Sequence, residues 1–469
     1  MSAFIWADAT EQARAIRSGE TTSTALTAEL LARIAEHDQT LRAFVTVDAE
    51  RVLAAAGAAD DWLAENGPDT APPFLGVTIS IKDVIGVEGL PTTHSSKVLA
   101  DNVAATDDPL VARFREAGFI VIGTTNVPEF CSSMTSSDLN GICRNPWDVQ
   151  RTPGGSSGGA AAALAAGLCA MSHGTDGAGS VRAPASFCGL VGLKPTRGLV
   201  AFGPERGEHH IGTSVNGVLT RSVRDAAGGL DVMIGAHSVD PAWAPRPSRP
   251  FAEQLDAPGS LRIAVCTAAA YGEVEPVLAD ATRGVAELLA TLGHDVCEAR
   301  PSWETILPGM VVPMSIPGPA AHVDADRDAD VEPRNRPMLA SLRGMTVVEH
   351  ARAVDVARAA TREFVRFWDD HDVLLTPVFG IEPPAATWAP WDLSFEQHAM
   401  QFASVANFAH PFNISGQPAM SLPLAWSGQG IPIGVQIAGR HLDEGTLLRL
   451  AAQLEAARPW ADRVPPAFR

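Results

Sequence analysis

A chain of 469 residues, 46% of them hydrophobic and 19% charged, is long enough to bury a large core and too apolar to be read as disordered. Its 54 acidic against 35 basic residues leave a net charge of -19, which repels polyphosphate and disfavours direct nucleic-acid binding. No apolar run reaches the roughly 18 to 20 residues of a membrane helix, the first twenty residues lack a secretory pattern, and six cysteines without CxxC pairs read as reduced thiols of a cytoplasmic protein.

In chain order, helical periodicity covers Ser23 to His37, and the segment 76–84 alternates like a strand. Val77, Ile79 and Ile81 share one face and Thr78, Ser80 and Lys82 the other, so Lys82 falls near the end of a half-buried strand. Phe119 to Ile122 reads as a further strand. Between Gly154 and Ser180, eight glycines fall in 27 positions, and GGSSGG changes abruptly into AAAALAAGL (160–168). That change predicts a tight turn feeding a buried helix. The proline-rich stretch 241–250 reads as a surface loop, followed by a strand-helix-strand unit from Leu261 to Glu298 with its helix over Thr282 to Leu292. Val373 to Leu375 reads as a late strand, and the alternation of helices and strands predicts an α/β sheet.

Four features can carry chemistry. Ser156 and Ser157 stand where a helix N-cap is expected, so a capping hydroxyl is the plain reading. The same letters match GxSxG twice, but a nucleophile elbow must follow a strand and RNPWDVQRTP is not one. A glycine-rich anion or nucleotide cradle is an alternative of another class, weakened because no Lys follows the last glycine. Ser180 follows Gly177, Ala178 and Gly179, small residues whose N–H groups suit an anion nest beside a hydroxyl. Lys82 is ordinarily a solvated charge, yet enclosed beside a serine pair it would lose its proton and serve as a base.

Taken together, Lys82-Asp83, GGSSGG at 154–159 and DGAGSVRAPASFCGLVGLKPTRG at 176–198 resemble the amidase signature family, with Ser156 and Ser180 at the family's spacing of 24 residues. The resemblance continues through TNVPEF (125–130), NPWD (145–148), LTRSVRDAA (219–227), LLTP (374–377) and PFNISGQPAMSLPL (411–424), nearly the whole chain. It implies one α/β domain over 1–469, with its signature core at about 70–235 and a large mixed sheet covered by helices on both faces. It implies Lys82 as base, Ser156 as bridging serine after a cis peptide, and Ser180 as acylated nucleophile. Gly177, Ala178 and Gly179 with Ser180 would form the oxyanion hole. The loop at Cys131 and Ser132 would line the substrate pocket, while Ser157, Asp176 and Arg182 would give structural support. No metal or organic cofactor is implied, and His173 is read as structural.

Where relatives commonly read DTGGS or DIGGS, this chain has Gly177 and Ala178. The DGAGSVR form and the stretch 203–227 are closer to the 6-aminohexanoate cyclic-dimer hydrolase branch than to glutaminase subunits. The implied function is hydrolysis of a small, neutral, linear or cyclic amide, with a glutaminase subunit of a tRNA-dependent amidotransferase as the alternative. Segment 308–324, proline-broken and largely uncharged, is expected to wall an apolar pocket. A small-molecule substrate is the expected partner, with neither nucleic acid nor membrane, and a homodimer is left open.

Overall fold

The computed structural model describes residues 4–201, 212–235, 244–269, 271–310, 323–405 and 408–469. In chain order its strands are β1 (Phe44–Thr46), β2 (Thr78–Lys82), β3 (Ile120–Thr125), β4 (Ser136–Ser137), β5 (Gly141–Ile142), β6 (Met171–Asp176), β7 (Val191–Lys194), β8 (Val215–Thr220), β9 (Arg262–Val265), β10 (Asp295–Glu298), β11 (Val373–Pro377), β12 (Ala419–Trp426) and β13 (Pro432–Gly439). Among the described residues, β4 and β5 pair apart and the other eleven form one sheet in the order β1-β3-β2-β6-β8-β7-β12-β13-β11-β9-β10. Pairing is parallel along β3-β2-β6 and β11-β9-β10 and antiparallel elsewhere, so the sheet is mixed.

Helices cover both faces. Along β11, Val373 and Leu375 enter one apolar core while Leu374 enters another, and Ile263 against Ala264 in β9 divides the same way. The first core takes residues of the helices Ser23–Leu41, Gly158–Ala165 and Glu444–Ala457; the second is built on Trp303, Phe364 and Phe412. With both faces covered, polar strand residues such as Ser80, Ser172 and Gln436 are buried as well and are met by hydrogen bonds from within the protein.

The segments predicted as helices and strands form at the expected places, with boundaries moved by a few residues. The helix expected from Ser23 runs on to Leu41 and is preceded by another at Ala9–Arg17, the helix of the strand-helix-strand unit spans Pro276–Thr291, and β9 and β10, which flank it in the chain, pair in parallel. The alanine run after GGSSGG is helical over Gly158–Ala165 and buried throughout. Of the loop 241–250, only 244–250 lies in the described residues; it is irregular, and Ala244 N–H donates to Gly198 O at 2.7 Å.

One expectation is corrected. Strand β2 is buried at every position, Lys82 included, because it lies between β3 and β6 inside the sheet. Its alternation records two different buried faces, one apolar and one hydrogen-bonded: on the second face Ser80 Oγ meets Ser172 Oγ at 2.8 Å.

Candidate active site

Parallel neighbours β2 and β6 end on the same side of the sheet, the usual place for a site in an α/β fold. Lys82 is the last residue of β2; Thr175 and Asp176 are the last of β6. Lys82 Nζ lies 2.7 Å from Ser156 Oγ, 2.7 Å from Thr175 Oγ1 and 3.4 Å from Thr175 O. Burial pushes the Lys82 amine below the ordinary lysine range, opposed by Cys131 and Asp176 nearby.

Ser156 follows a cis peptide from Gly155. The turn is packed so closely that a Cβ on Gly155 would collide with the main-chain O of Ser133. The plain reading of the serine pair as caps does not hold. Ser157 occupies the N-cap position of the helix Gly158–Ala165, yet makes no side-chain cap there. Its hydroxyl instead donates to Thr175 O and accepts from Thr175 N–H, both at 3.3 Å, while Ser157 N–H donates to Ser180 O at 3.2 Å. The elbow reading lacks its strand as well, since residues 152–157 carry no regular structure.

Ser180 lies in the turn between β6 and the helix Arg182–Cys188. It lines a cavity of about 180 Å³ together with Ser156, Thr175, Gly177 and Ala178. Asp176 shapes that turn: its carboxylate accepts Gly179 N–H at 2.8 Å and Val181 N–H at 3.2 Å. Gly179 N–H is therefore already engaged. Among the described residues the N–H groups of Gly177, Ala178 and Ser180 meet no protein acceptor, and all three residues face the cavity. Gly179 is needed for another reason, its left-handed φ of 109°.

Arg182 and Asp176 form a fully buried ion pair at 2.8 Å. Burial alone would raise the Asp176 carboxyl, but the Arg182 guanidinium holds it well below the usual carboxylate range. Arg182 also donates to Ala409 O, Gln436 Oε1 and Asn413 Oδ1, which ties the turn to distant segments. His173 is a support: burial pushes its imidazole down to about 3, one ring nitrogen accepts Lys82 N–H at 3.4 Å, and the other meets Asn216 Oδ1 at 3.1 Å.

Cys131 and Ser132 line the same cavity. Both Phe130 and Cys131 have left-handed backbone, φ 51° and 61°, in a turn held by Glu129. The Glu129 carboxylate, raised by burial, accepts from Ser96 Oγ, Glu332 N–H and Asn335 Nδ2. The remaining wall comes from late segments that no local pattern marks: Arg334, Met338, Phe379, Trp388, Phe395 and His398. His398 Nε2 meets Ser132 O at 2.8 Å, and burial holds its imidazole down at about 4. Arg334 is paired with Glu332 at 2.7 Å. Most of segment 308–324, expected to wall the pocket, lies outside the described residues.

A mixed α/β sheet at whose strand ends a buried lysine meets a serine hydroxyl, beside a glycine-turn serine on the same cavity, is the arrangement expected from the resemblance to serine amidases. The amidase family model matches residues 25–448, and the chain belongs to that family. It is 37% identical to the 6-aminohexanoate-cyclic-dimer hydrolase of Paenarthrobacter ureafaciens, over 98% of this chain and 97% of that one. It is 32% identical to the acylamidase of Rhodococcus erythropolis, over 98% and 97%. A solved structure of 6-aminohexanoate cyclic dimer hydrolase complexed with substrate superposes with a TM-score of 0.91 at 35% identity, covering 99% of this chain and all of the other. The protein is thus an amide-hydrolysing enzyme acting on carbon–nitrogen bonds of a small-molecule substrate. No described helix is long and apolar enough to cross a membrane.

Proposed function

We propose that Ser180 is the nucleophile, Ser156 the proton bridge and neutral Lys82 the base. The observation that carries this reading is the 2.7 Å contact between buried Lys82 Nζ and Ser156 Oγ, at the edge of the cavity that Ser180 also lines. Ser180 Oγ attacks the amide carbon as its proton passes to Ser156 Oγ and the Ser156 proton passes to Lys82 Nζ. The C–N bond then breaks, the relay runs backward to protonate the departing amine, and water repeats the sequence on the acyl-enzyme. The free N–H groups of Gly177, Ala178 and Ser180 support the oxyanion role, whereas Gly179 serves it through backbone conformation.

The substrate we assign is a neutral amide, linear or cyclic, like the cyclic dimer of 6-aminohexanoate in the name of the Paenarthrobacter relative. Support comes from a cavity whose exposed surface is mostly apolar, with Phe379, Trp388 and Phe395 among its lining residues, and in which Arg334 is ion-paired with Glu332. The glutaminase alternative has no such support. We read the chain as one domain acting alone or as a homodimer in the cytoplasm, where its six unpaired cysteines stay reduced. Amine or ammonia release from a panel of linear, aryl and cyclic amides by the purified chain tests the assignment; a chain inert towards all of them defeats it.

A further inference from the structure

A neutral amine has two N–H bonds and one lone pair, and the three oxygens nearest Lys82 Nζ can engage all of them, with Cys131 a further neighbour. Thr175 presents two acceptors, its hydroxyl Oγ1 at 2.7 Å and its main-chain O at 3.4 Å; Ser156 presents a hydroxyl at 2.7 Å on the remaining side. From these contacts we infer that Thr175 is a positioning residue, taking both N–H bonds of neutral Lys82 and thereby turning the lone pair onto the Ser156 hydroxyl proton. The inference rests on the relay assigned above and adds to it the group that gives the relay its direction.

Three further features support this role. Thr175 is itself fixed, since Ser157 Oγ bonds both its N–H and its O at 3.3 Å. A threonine on a strand has a stiff χ1, so Oγ1 is held rather than swung. Lys82 is fully buried behind Ser156 and Thr175, which line the cavity, and Thr175 is only 7% exposed, so the amine lies away from bulk solvent. The titratable groups facing Lys82 are His173 on its own sheet, Cys131 in the turn above and Asp176 beside Thr175.

The test is Thr175→Val, which keeps the β-branch and removes Oγ1, alongside Thr175→Ser, which restores a hydroxyl. The expected result is a kcat lowered about 10- to 100-fold in Thr175→Val with KM within about threefold, and recovery to within a few-fold of the parent in Thr175→Ser. The ammonium form of Lys82 also loses an acceptor in Thr175→Val, so the acid limb of the pH profile should move to lower pH, which mere loosening of the strand does not require. Should Thr175→Val fail to fold, Thr175→Ala removes the same hydroxyl with space to spare. A kcat within threefold of the parent, or equal impairment of the Val and Ser variants with an unmoved acid limb, overturns the inference. Ser180→Ala assayed in parallel separates the two levels: if it stays active, the relay itself is wrong.

Discussion

Lys82 Nζ and Ser156 Oγ lie 2.7 Å apart with both side chains withdrawn from solvent. A buried ammonium is unfavourable, so the Lys82 amine titrates below the ordinary lysine range and its neutral form is the one that accepts a proton. Activity should therefore rise with pH across that depressed value and then level. Lys82→Met should fold and lose at least about 100-fold in kcat. Combined with Ser156→Ala it should be scarcely worse than the poorer single variant, because the two act as a unit. Multiplicative losses in the double variant would show two independent contributions.

Only the acylated hydroxyl can carry a covalent adduct. A fluorophosphonate should label the parent once, on the peptide containing Ser180, and Ser180→Ala should take up none. Mass-spectrometric location of the label on Ser156 or Ser157 would reassign the nucleophile to the turn before the helix Gly158–Ala165.

The buried pair of Asp176 and Arg182 sets an acid limit on stability. Because the folded Asp176 carboxyl is held below the range of an unfolded one, its contribution is present above the ordinary carboxylate value and lost as pH falls through the folded one. Arg182→Met leaves that buried carboxylate without its ion-pair partner, with only neutral donors such as Gly179 N–H and Asn413 Nδ2 in contact, which costs about 3–5 kcal/mol. Arg182→Lys should recover little, since a single ammonium cannot also reach Ala409 O, Gln436 and Asn413 as the guanidinium does. Thermal melts of the two variants at neutral pH measure both effects, and a full recovery in the lysine variant would refute the argument.

The two glycines before Ser180 should differ sharply. A Cβ on Gly177 would come no nearer than 3.6 Å to Ser214, ordinary contact, so Gly177→Ala should fold with kcat within about tenfold of the parent. Gly179 combines φ of 109° with a Cβ position 2.7 Å from that of Ala409. Gly179→Ala should cost on the order of 1–3 kcal/mol in strain and nearly all activity. Melting temperature and kcat, measured together on each variant, decide between this ranking and equal tolerance.

Local patterns in the sequence carried the residues that meet at the ends of β2 and β6, because a strand's alternation and a glycine turn are both short-range signals. They failed where burial came from neighbours: nothing in 76–84 says that both faces of β2 are covered, since that depends on where β3 and β6 lie. Thr175 was within reach, as it shares a face of β6 with His173 and adjoins Asp176, yet its value as an acceptor appears only when Lys82 is placed. The wall formed by Arg334, Trp388 and His398 had no local mark. These residues stand more than 150 positions from Ser180 and join the cavity through tertiary contacts, His398 by its bond to Ser132 O and Arg334 by its bond to Ser136 O.

The composition of that wall bears on substrate choice. Met134, Met338, Phe379, Trp388 and Phe395 offer dispersion and no charge, and Arg334 is ion-paired with Glu332, whose carboxyl burial raises to about 7. The imidazole of His398, held down at about 4, is neutral at working pH. A substrate ammonium would enter without a counter-charge and a carboxylate would have to compete with Glu332 for Arg334, and an unpaired buried charge is penalised far more than an amide that keeps its hydrogen bonds. Neutral linear or cyclic amides should therefore be turned over with kcat/KM at least about 100-fold above that of free glutamine, whose α-amino and carboxylate groups are both charged. The measurement is kcat/KM for a neutral amide and for glutamine under one set of conditions. Glutamine as the better substrate, and only after partner subunits are added, would replace the autonomous amidase with a transamidating one.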